Sequence, residues 1–269
     1  MLQVTRLRPN LIDTKTETWR PPLLGSARSR PGAFRAAVRR FFDLQAGSIW
    51  SDLAPELASA HGRVLDVGCG AQPYRELLPA DTEYLGIDTV EGRAHFGYGL
   101  PDTRYFSAGE WPVETGWADL IVCTEVLEHV LDPRAFLAEA FRVLRPGGRI
   151  VFTVPFAARW HFIPHDYWRF TPSGLNHLLE ASGFSHIQVW GRGNRLTVAC
   201  YKVMTLVLAG FSSSASDGPG RWASMFSSFL LAPLFVPLSV LANISLRFDG
   251  QDDCLGFTVL VQRPGGNPP

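Results

Sequence analysis

Three groups of residues have the types and spacing for chemistry. The first is VLDVGCGAQPY (64–74), where an apolar run leads through Asp66 into Gly68, Cys69 and Gly70. Glycines at such a turn let the backbone approach a ligand closely, and a helix starting near Pro73 would offer free N–H groups. Loops of this kind bind nucleotides at the carboxyl ends of parallel strands. Asp88 closes the next apolar run, where a carboxylate can accept hydrogen bonds from both hydroxyls of a ribose. A dinucleotide site would want G-x-G-x-x-G, and Pro73 stands where its third glycine would be. A carboxylate at Asp66 also suits a cationic ligand better than a pyrophosphate.

The second group is Glu125, Glu128 and His129, which follow Thr124 after another apolar run. This E-x-x-E-H cluster could ligate a divalent cation, but no metal is assigned to it. His129 is either a structural histidine bonded to backbone or a general base. The third group is PFAARWHFIPHDYWRFT (155–171), dense in aromatic, basic and histidine side chains. It is the acceptor-site candidate. His165 or Asp166 could take a proton from an attacking hydroxyl. His161, Tyr167, Trp168 and Arg169 are the candidate substrate contacts, the rings by stacking and the arginine by pairing with an acidic group. In the plainer reading, Asp166 and Arg169 hold the loop's shape while the rings cap the core.

The elements that must position these groups alternate. Strands are expected at 63–67, 84–87, 103–106, 119–123, 149–154, 186–190 and 255–262. Helices are expected at 73–78, 132–144 and 172–182. Asp132–Pro133 and Thr171–Pro172 are N-cap signals, and Gly183 is a stop. Strands alternating with helices imply βαβ units and a parallel sheet. Before them, 32–45 and 49–60 read as two helices, the first basic and amphipathic.

The chain divides into an irregular basic arm (1–31), a core with N-terminal helices (32–190 and 254–263), and an apolar helical insertion (191–253). The whole carries 25 basic and 25 acidic side chains, a balance that disfavours a nucleic-acid partner. That neutral total hides a segregation: residues 1–40 hold nine basic and two acidic groups. Trp222–Leu246 has no charge at all, and Pro233 and Pro237 interrupt it. The insertion, with helical stretches at 196–211 and 222–246, must be buried against the core, a second copy of the chain, or lipid. Four dispersed cysteines argue against zinc or a disulfide framework. No secretory leader is expected, so the location is cytoplasmic or peripheral at the inner membrane face.

Taken together, LDVGCG (65–70), YLGID (84–88), WADLIVCTEVLEHV (117–130) and AFRVLRPGGRIVFTVP (140–155) resemble the class I S-adenosylmethionine-dependent methyltransferases, in particular the type 11 group. The resemblance implies an α/β, Rossmann-like seven-stranded sheet with its last strand antiparallel and helices on both faces. The apolar helical insertion would precede that strand. It also implies that Asp66, Gly68 and Gly70, with Cys69 between the glycines, hold the amino-acid part of S-adenosylmethionine. Asp88 would hold the ribose, and Thr124 and Glu125 would lie near the methyl group. Two positions depart from the family pattern. Gln72 replaces the third glycine of D-x-G-x-G-x-G, and Ser107 stands where an acidic residue often faces adenine.

The implied reaction is in-line attack on the sulfonium methyl. The acceptor is expected to be an oxygen of a small molecule, a glycan or a lipid-linked compound, since PHDYWRFTPSGL (164–175) resembles methyltransferases of polysaccharide and glycolipid gene neighbourhoods. The rival readings are an NAD-dependent oxidoreductase and a non-catalytic membrane-associated binding protein.

Overall fold

The computed structural model describes residues 30–266 except 98, 101, 108, 210–224, 227, 249 and 251. The expected arm, apart from Arg30 and Pro31, and the beginning of the second apolar stretch lie outside the described residues. Helix α1 is Arg30–Phe42 and helix α2 is Leu44–Ala58. Asp43 divides them by capping α2, its Oδ1 accepting from the Ala46 N–H at 3.1 Å. The first helix therefore stops before Gln45, and the second starts at Leu44 rather than Ile49.

The strands are β1 (Arg63–Val67), β2 (Glu83–Thr89), β3 (Thr103–Phe106), β4 (Ala118–Thr124), β5 (Leu144–Pro155), β6 (Ser185–Gly191) and β7 (Gly256–Gln262). They form one seven-stranded sheet in the order β3-β2-β1-β4-β5-β7-β6. β3, β2, β1, β4 and β5 pair in parallel, and β7 runs antiparallel to both β5 and β6. This is the expected Rossmann-like architecture.

Strand periodicity decides which layer each residue joins. Leu65, Ile121, Ile150 and Phe152 point to the face covered by Leu137 and Ala140 of α4 (Pro133–Val143) and by Leu175 and Leu179 of α5 (Pro172–Ala181). Their neighbours Val64, Leu120, Val122 and Val151 point to the other face, against Ile49, Leu53 and Leu57 of α2. A parallel sheet buried on both faces needs such continuous apolar runs. The four cysteines are buried and unpaired within this fabric.

Two local expectations are corrected. No full helix forms over 73–78; there is only a single 3-10 turn at Arg75–Leu77. Gln72 turns the chain with φ +54°, and Leu78, preceding Pro79, is extended as pre-proline residues prefer. Conversely, an unforeseen helix α3 spans Val90–Phe96. Thr89 caps it by accepting from the Gly92 N–H at 3.0 Å, and Gly97 ends it at φ +73°.

Between β6 and β7 lie α6 (Arg195–Ala209) and α7 (Phe235–Ser245), the latter entered through a 3-10 turn at Ala232–Leu234 that contains Pro233. Cys200, Met204 and Ala242 pack with Leu44 and Leu255, fastening the insertion to the start of α2. The polarity of α7 is inverted. Its buried positions are Ser239, Ala242 and Ser245, while Val236, Val240 and Ile244 face outward.

Candidate active site

β1 lies between β2 and β4, so the chain leaves it to build the sheet in two directions. A switch point of this kind leaves a crevice beyond the carboxyl ends of the strands. Here it is a cavity of about 1620 Å³. The loops after β1, β2, β3 and β4 supply its floor, with Gly68, Asp88, Phe106 and Thr124 all lining it.

The β1 loop is stitched to β2. The N–H groups of Gly68 and Cys69 both donate to the Ile87 carbonyl, at 2.9 and 3.2 Å. The Gly70 N–H donates to Asp88 Oδ2 at 3.0 Å. Gly68 and Gly70 have φ of +67° and +49°, and Gln72 adopts the left-handed conformation usually left to glycine. A side chain at Gly68 would be driven into Val126. The Cys69 thiol itself is buried beside Thr103 Oγ1, at 3.6 Å.

Asp88 Oδ1 also accepts from the Thr89 N–H at 2.7 Å. Burial raises its pKa, while these two backbone bonds oppose the rise. Each carboxylate oxygen retains a further lone pair for a ligand hydroxyl. Asp66 sits differently from the expectation. It is buried beneath the loop, accepts from the Tyr84 hydroxyl at 2.8 Å, and is not among the cavity-lining residues. Burial pushes its carboxyl up to about 7, against the Tyr84 bond and helped by the nearby Asp88 charge.

Ser107 is exposed and does not line the cavity; its neighbour Phe106 does. A one-residue step at a strand end reverses the side a residue faces, so Phe106 and not Ser107 is presented to the cavity. Thr124 and Glu125 do line it. Glu125 is held at φ +53°, its N–H donating to the Thr153 carbonyl at 3.0 Å. Its Oε1 lies 2.8 Å from Nη2 of the fully buried Arg192, which also donates to Ser48 Oγ and the Val154 carbonyl. One arginine thus ties α2, β5, the turn after β4 and the end of β6 together.

The next turn brings Glu128 and His129 against the 155–171 loop. His129 lines the cavity. Its Nδ1–H donates to the His165 carbonyl at 2.7 Å. Burial and the neighbouring His161 depress its pKa to about 4, so the ring is neutral near pH 7. Glu128 points inward and is wholly buried, and burial together with the Glu125 charge pushes its carboxyl far above the usual range.

The loop residues divide. Asp166 is taken up by Arg169, Oδ1 to Nη1 at 2.6 Å and Oδ2 to Nη2 at 2.8 Å, and by the His161 N–H at 3.1 Å. Burial alone would raise its pKa, but the bonds from Arg169 and His161 outweigh it and hold the carboxyl well below the usual range. A carboxylate so engaged is a poor base, and the pair braces the loop. Trp168 donates its indole N–H to the Val130 carbonyl at 2.8 Å, and Tyr167 is 3.0 Å from His165 Nδ1 through its hydroxyl. None of His161, His165, Asp166, Tyr167, Trp168 or Arg169 lines the cavity; from this loop only Phe162 does.

The opposite wall comes from residues with no motif. Arg40 of α1 lies over the Trp50 ring of α2, 3.8 Å from its centroid, and both border the cavity. The amphipathic pattern of 32–45 was the available signal, but it pointed to a helix and not to what the helix covers.

A family model described as a methyltransferase domain matches residues 30–189. The chain is 36% identical over 134 residues to a protein of Mycolicibacterium smegmatis named "probable S-adenosylmethionine-dependent methyltransferase", a match covering 45% of this chain and 51% of that one. It is 36% identical over 113 residues to a ubiquinone biosynthesis O-methyltransferase of Aromatoleum aromaticum, covering 39% of this chain and 47% of that one. The chain thus spans about half the length of these two relatives. Among solved structures, a SAM-dependent methyltransferase of Thermotoga maritima matches with a TM-score of 0.51 at 13% identity, over 86% of this chain and 97% of that one. At that identity the likeness is one of fold.

Proposed function

Because the chain belongs to the methyltransferase-domain family, we propose that it transfers the methyl group of S-adenosylmethionine to a small acceptor. The observation that carries this reading is the glycine loop after β1, stitched to Ile87 and Asp88 at the floor of the cavity. In it the backbone of Gly68, Cys69 and Gly70 holds the amino-acid end of the cofactor and Asp88 binds the ribose hydroxyls. Phe106 packs on the adenine, and Thr124 and Glu125 lie at the methyl end. The sulfonium already activates the methyl group, so the protein's work is alignment and exclusion of water. Arg40 and Trp50 close the side away from the sheet.

The acceptor approaches along Phe162 and His129, both of which border the cavity. An oxygen nucleophile is favoured: the acceptor side offers a neutral imidazole, and one relative is an O-methyltransferase. His165, Tyr167 and Trp168 contribute at the rim of the acceptor's path.

A lipid-linked acceptor met at a membrane surface fits the insertion. Among the described residues one helix, Ser228–Ser245, is apolar enough to cross a bilayer, with mean hydropathy 1.8 and 22% of it buried. Its proline-containing 3-10 turn and its outward Phe229, Leu230, Val236 and Val240 suit a helix lying on the bilayer face.

Equilibrium titration tests the core of this reading. S-adenosylhomocysteine is expected to bind, and binding of NAD without it would overturn the proposal. A labelled-methyl screen over lipid, glycan and phenol fractions identifies the acceptor. Co-sedimentation with anionic vesicles tests the membrane face. A chain that stays in the supernatant, or forms a dimer through α7, removes it.

A further inference from the structure

Resting on the methyltransferase reading above, we propose that Arg192 is a positioning residue that holds Glu125 at the methyl end of the cavity and balances its charge. In this way it sets how strongly the site prefers the cofactor to the product. S-adenosylmethionine carries a positive sulfur, and S-adenosylhomocysteine does not. A carboxylate left uncompensated beside that sulfur would stabilise the very charge that the reaction removes, which holds back transfer. A balanced carboxylate still orients its neighbours but distinguishes the two ligands little.

The pair is asymmetric. Arg192 is wholly buried and does not border the cavity, whereas Glu125 keeps 25% of its side chain exposed and does. Glu125 also sits at φ +53°, a conformation that costs energy for a residue with a side chain. The slot for the guanidinium is built by distant segments. The Arg192 N–H donates to the Gly256 carbonyl at 2.8 Å, and the Arg192 carbonyl accepts from the Leu255 N–H at 2.9 Å. A Cβ at Gly256 would collide with Arg192 Nη2, so this position of β7 must stay glycine for the guanidinium to fit.

Stability does not account for this arrangement. A buried arginine is costly to desolvate, and well-packed apolar side chains often hold such elements as firmly as an ion pair does. Here the Nε–H of Arg192 also has no hydrogen-bond partner. What the pair does reach is the cavity. Burial pushes up the phenol of Tyr74, a cavity-lining residue; the Glu125 charge adds to the rise and the Arg192 charge opposes it. The two charges therefore offset each other at a point on the cavity wall. Arg192 reaches that wall only through Glu125.

The test titrates the full chain with S-adenosylmethionine and with S-adenosylhomocysteine by calorimetry, in wild type, E125Q, R192M and the double variant. The readout is the ratio of the two dissociation constants. E125Q leaves the buried positive charge unopposed and should shift the ratio about 10-fold against S-adenosylmethionine, the size expected of one unit charge in a partly buried site. R192M should shift it about 10-fold the other way, and the double variant should return to within about 2-fold of wild type. A merely structural arginine would weaken both ligands alike and leave the ratio unmoved. Thermal melting reports which variants fold. If R192M does not, E125Q and the double variant differ by Arg192 alone and decide; if E125Q does not, R192M decides against wild type and the double variant. Ratios equal within about 2-fold across the folded variants overturn the role of Arg192 and leave the methyltransferase reading standing. A wild type that binds neither ligand sinks that reading, and the role of Arg192 with it.

Discussion

Replacing Asp66 with Asn removes a buried acid whose ionisation the fold resists. Asp66 is 4% exposed and accepts one hydrogen bond, from Tyr84. Burial lifts its carboxyl from 3.8 to about 7. Between those two values the folded chain keeps a proton that the unfolded chain has released. The group's contribution to stability is therefore fully present below pH 3.8, and is lost as pH rises through about 7. A gap of about 3 units at about 1.4 kcal/mol each makes the whole loss about 4 kcal/mol, of which about 2–3 falls between pH 5 and pH 8. Asn keeps an oxygen for the Tyr84 hydroxyl and has no proton to lose. In urea unfolding without cofactor, D66N is expected to gain about 2–3 kcal/mol on wild type in going from pH 5 to pH 8. Apart from Asp88, whose charge acts on Asp66, the other carboxylates titrate alike in both proteins and cancel. If the two stability curves run parallel within about 0.5 kcal/mol, Asp66 is ionised in the fold and the reasoning fails.

Gly68→Ala puts a Cβ into Val126 on a backbone at φ +67°. It should cost about 1–3 kcal/mol of stability and abolish measurable S-adenosylhomocysteine binding; calorimetry showing wild-type affinity would refute the close packing of this loop. Asp88→Asn keeps an acceptor for the Gly70 N–H but loses the charge, so affinity should fall about 10-fold, or about 1.4 kcal/mol. An unchanged dissociation constant would move the ribose elsewhere. Thr171→Ala deletes the cap that accepts the Gly174 N–H at 3.1 Å. It is expected to cost about 1 kcal/mol in urea unfolding with cofactor affinity untouched, and a loss of affinity instead would mean that α5 helps to shape the cofactor site.

The strands were legible because each is a short apolar run bounded by glycine, proline or a charge, and their order followed from alternation with helices. The glycine loop and Asp88 were legible for a local reason: backbone geometry at Gly68 and Gly70 depends on residues a few positions away. What escaped was set by distance. Nothing near Arg40 or Trp50 in sequence says that they border a cavity whose floor lies beyond β1. Asp43 was read as a helix interior, though it is a good cap, because apolar spacing continues across it. Asp166 and Arg169 looked like acceptor chemistry, and the plainer alternative, a brace for the loop, is what their geometry shows. Asp66 is buried beside Tyr84, one strand away, which donates to its carboxylate, and no local pattern names that partner.

The place of β7 bears on how the molecule is made. It is the latest of the seven strands in chain order, yet it lies between β5 and β6. Until it is inserted, β5 has one unsatisfied edge and β6 has no partner strand. Every apolar helix of the insertion emerges before that gap can close. The newborn chain therefore carries open strand edges and outward hydrophobic side chains together, the combination most prone to wrong pairing. A host that slows synthesis, or supplies a chaperone or a membrane at that moment, should raise the yield of folded protein more than one that merely lowers temperature.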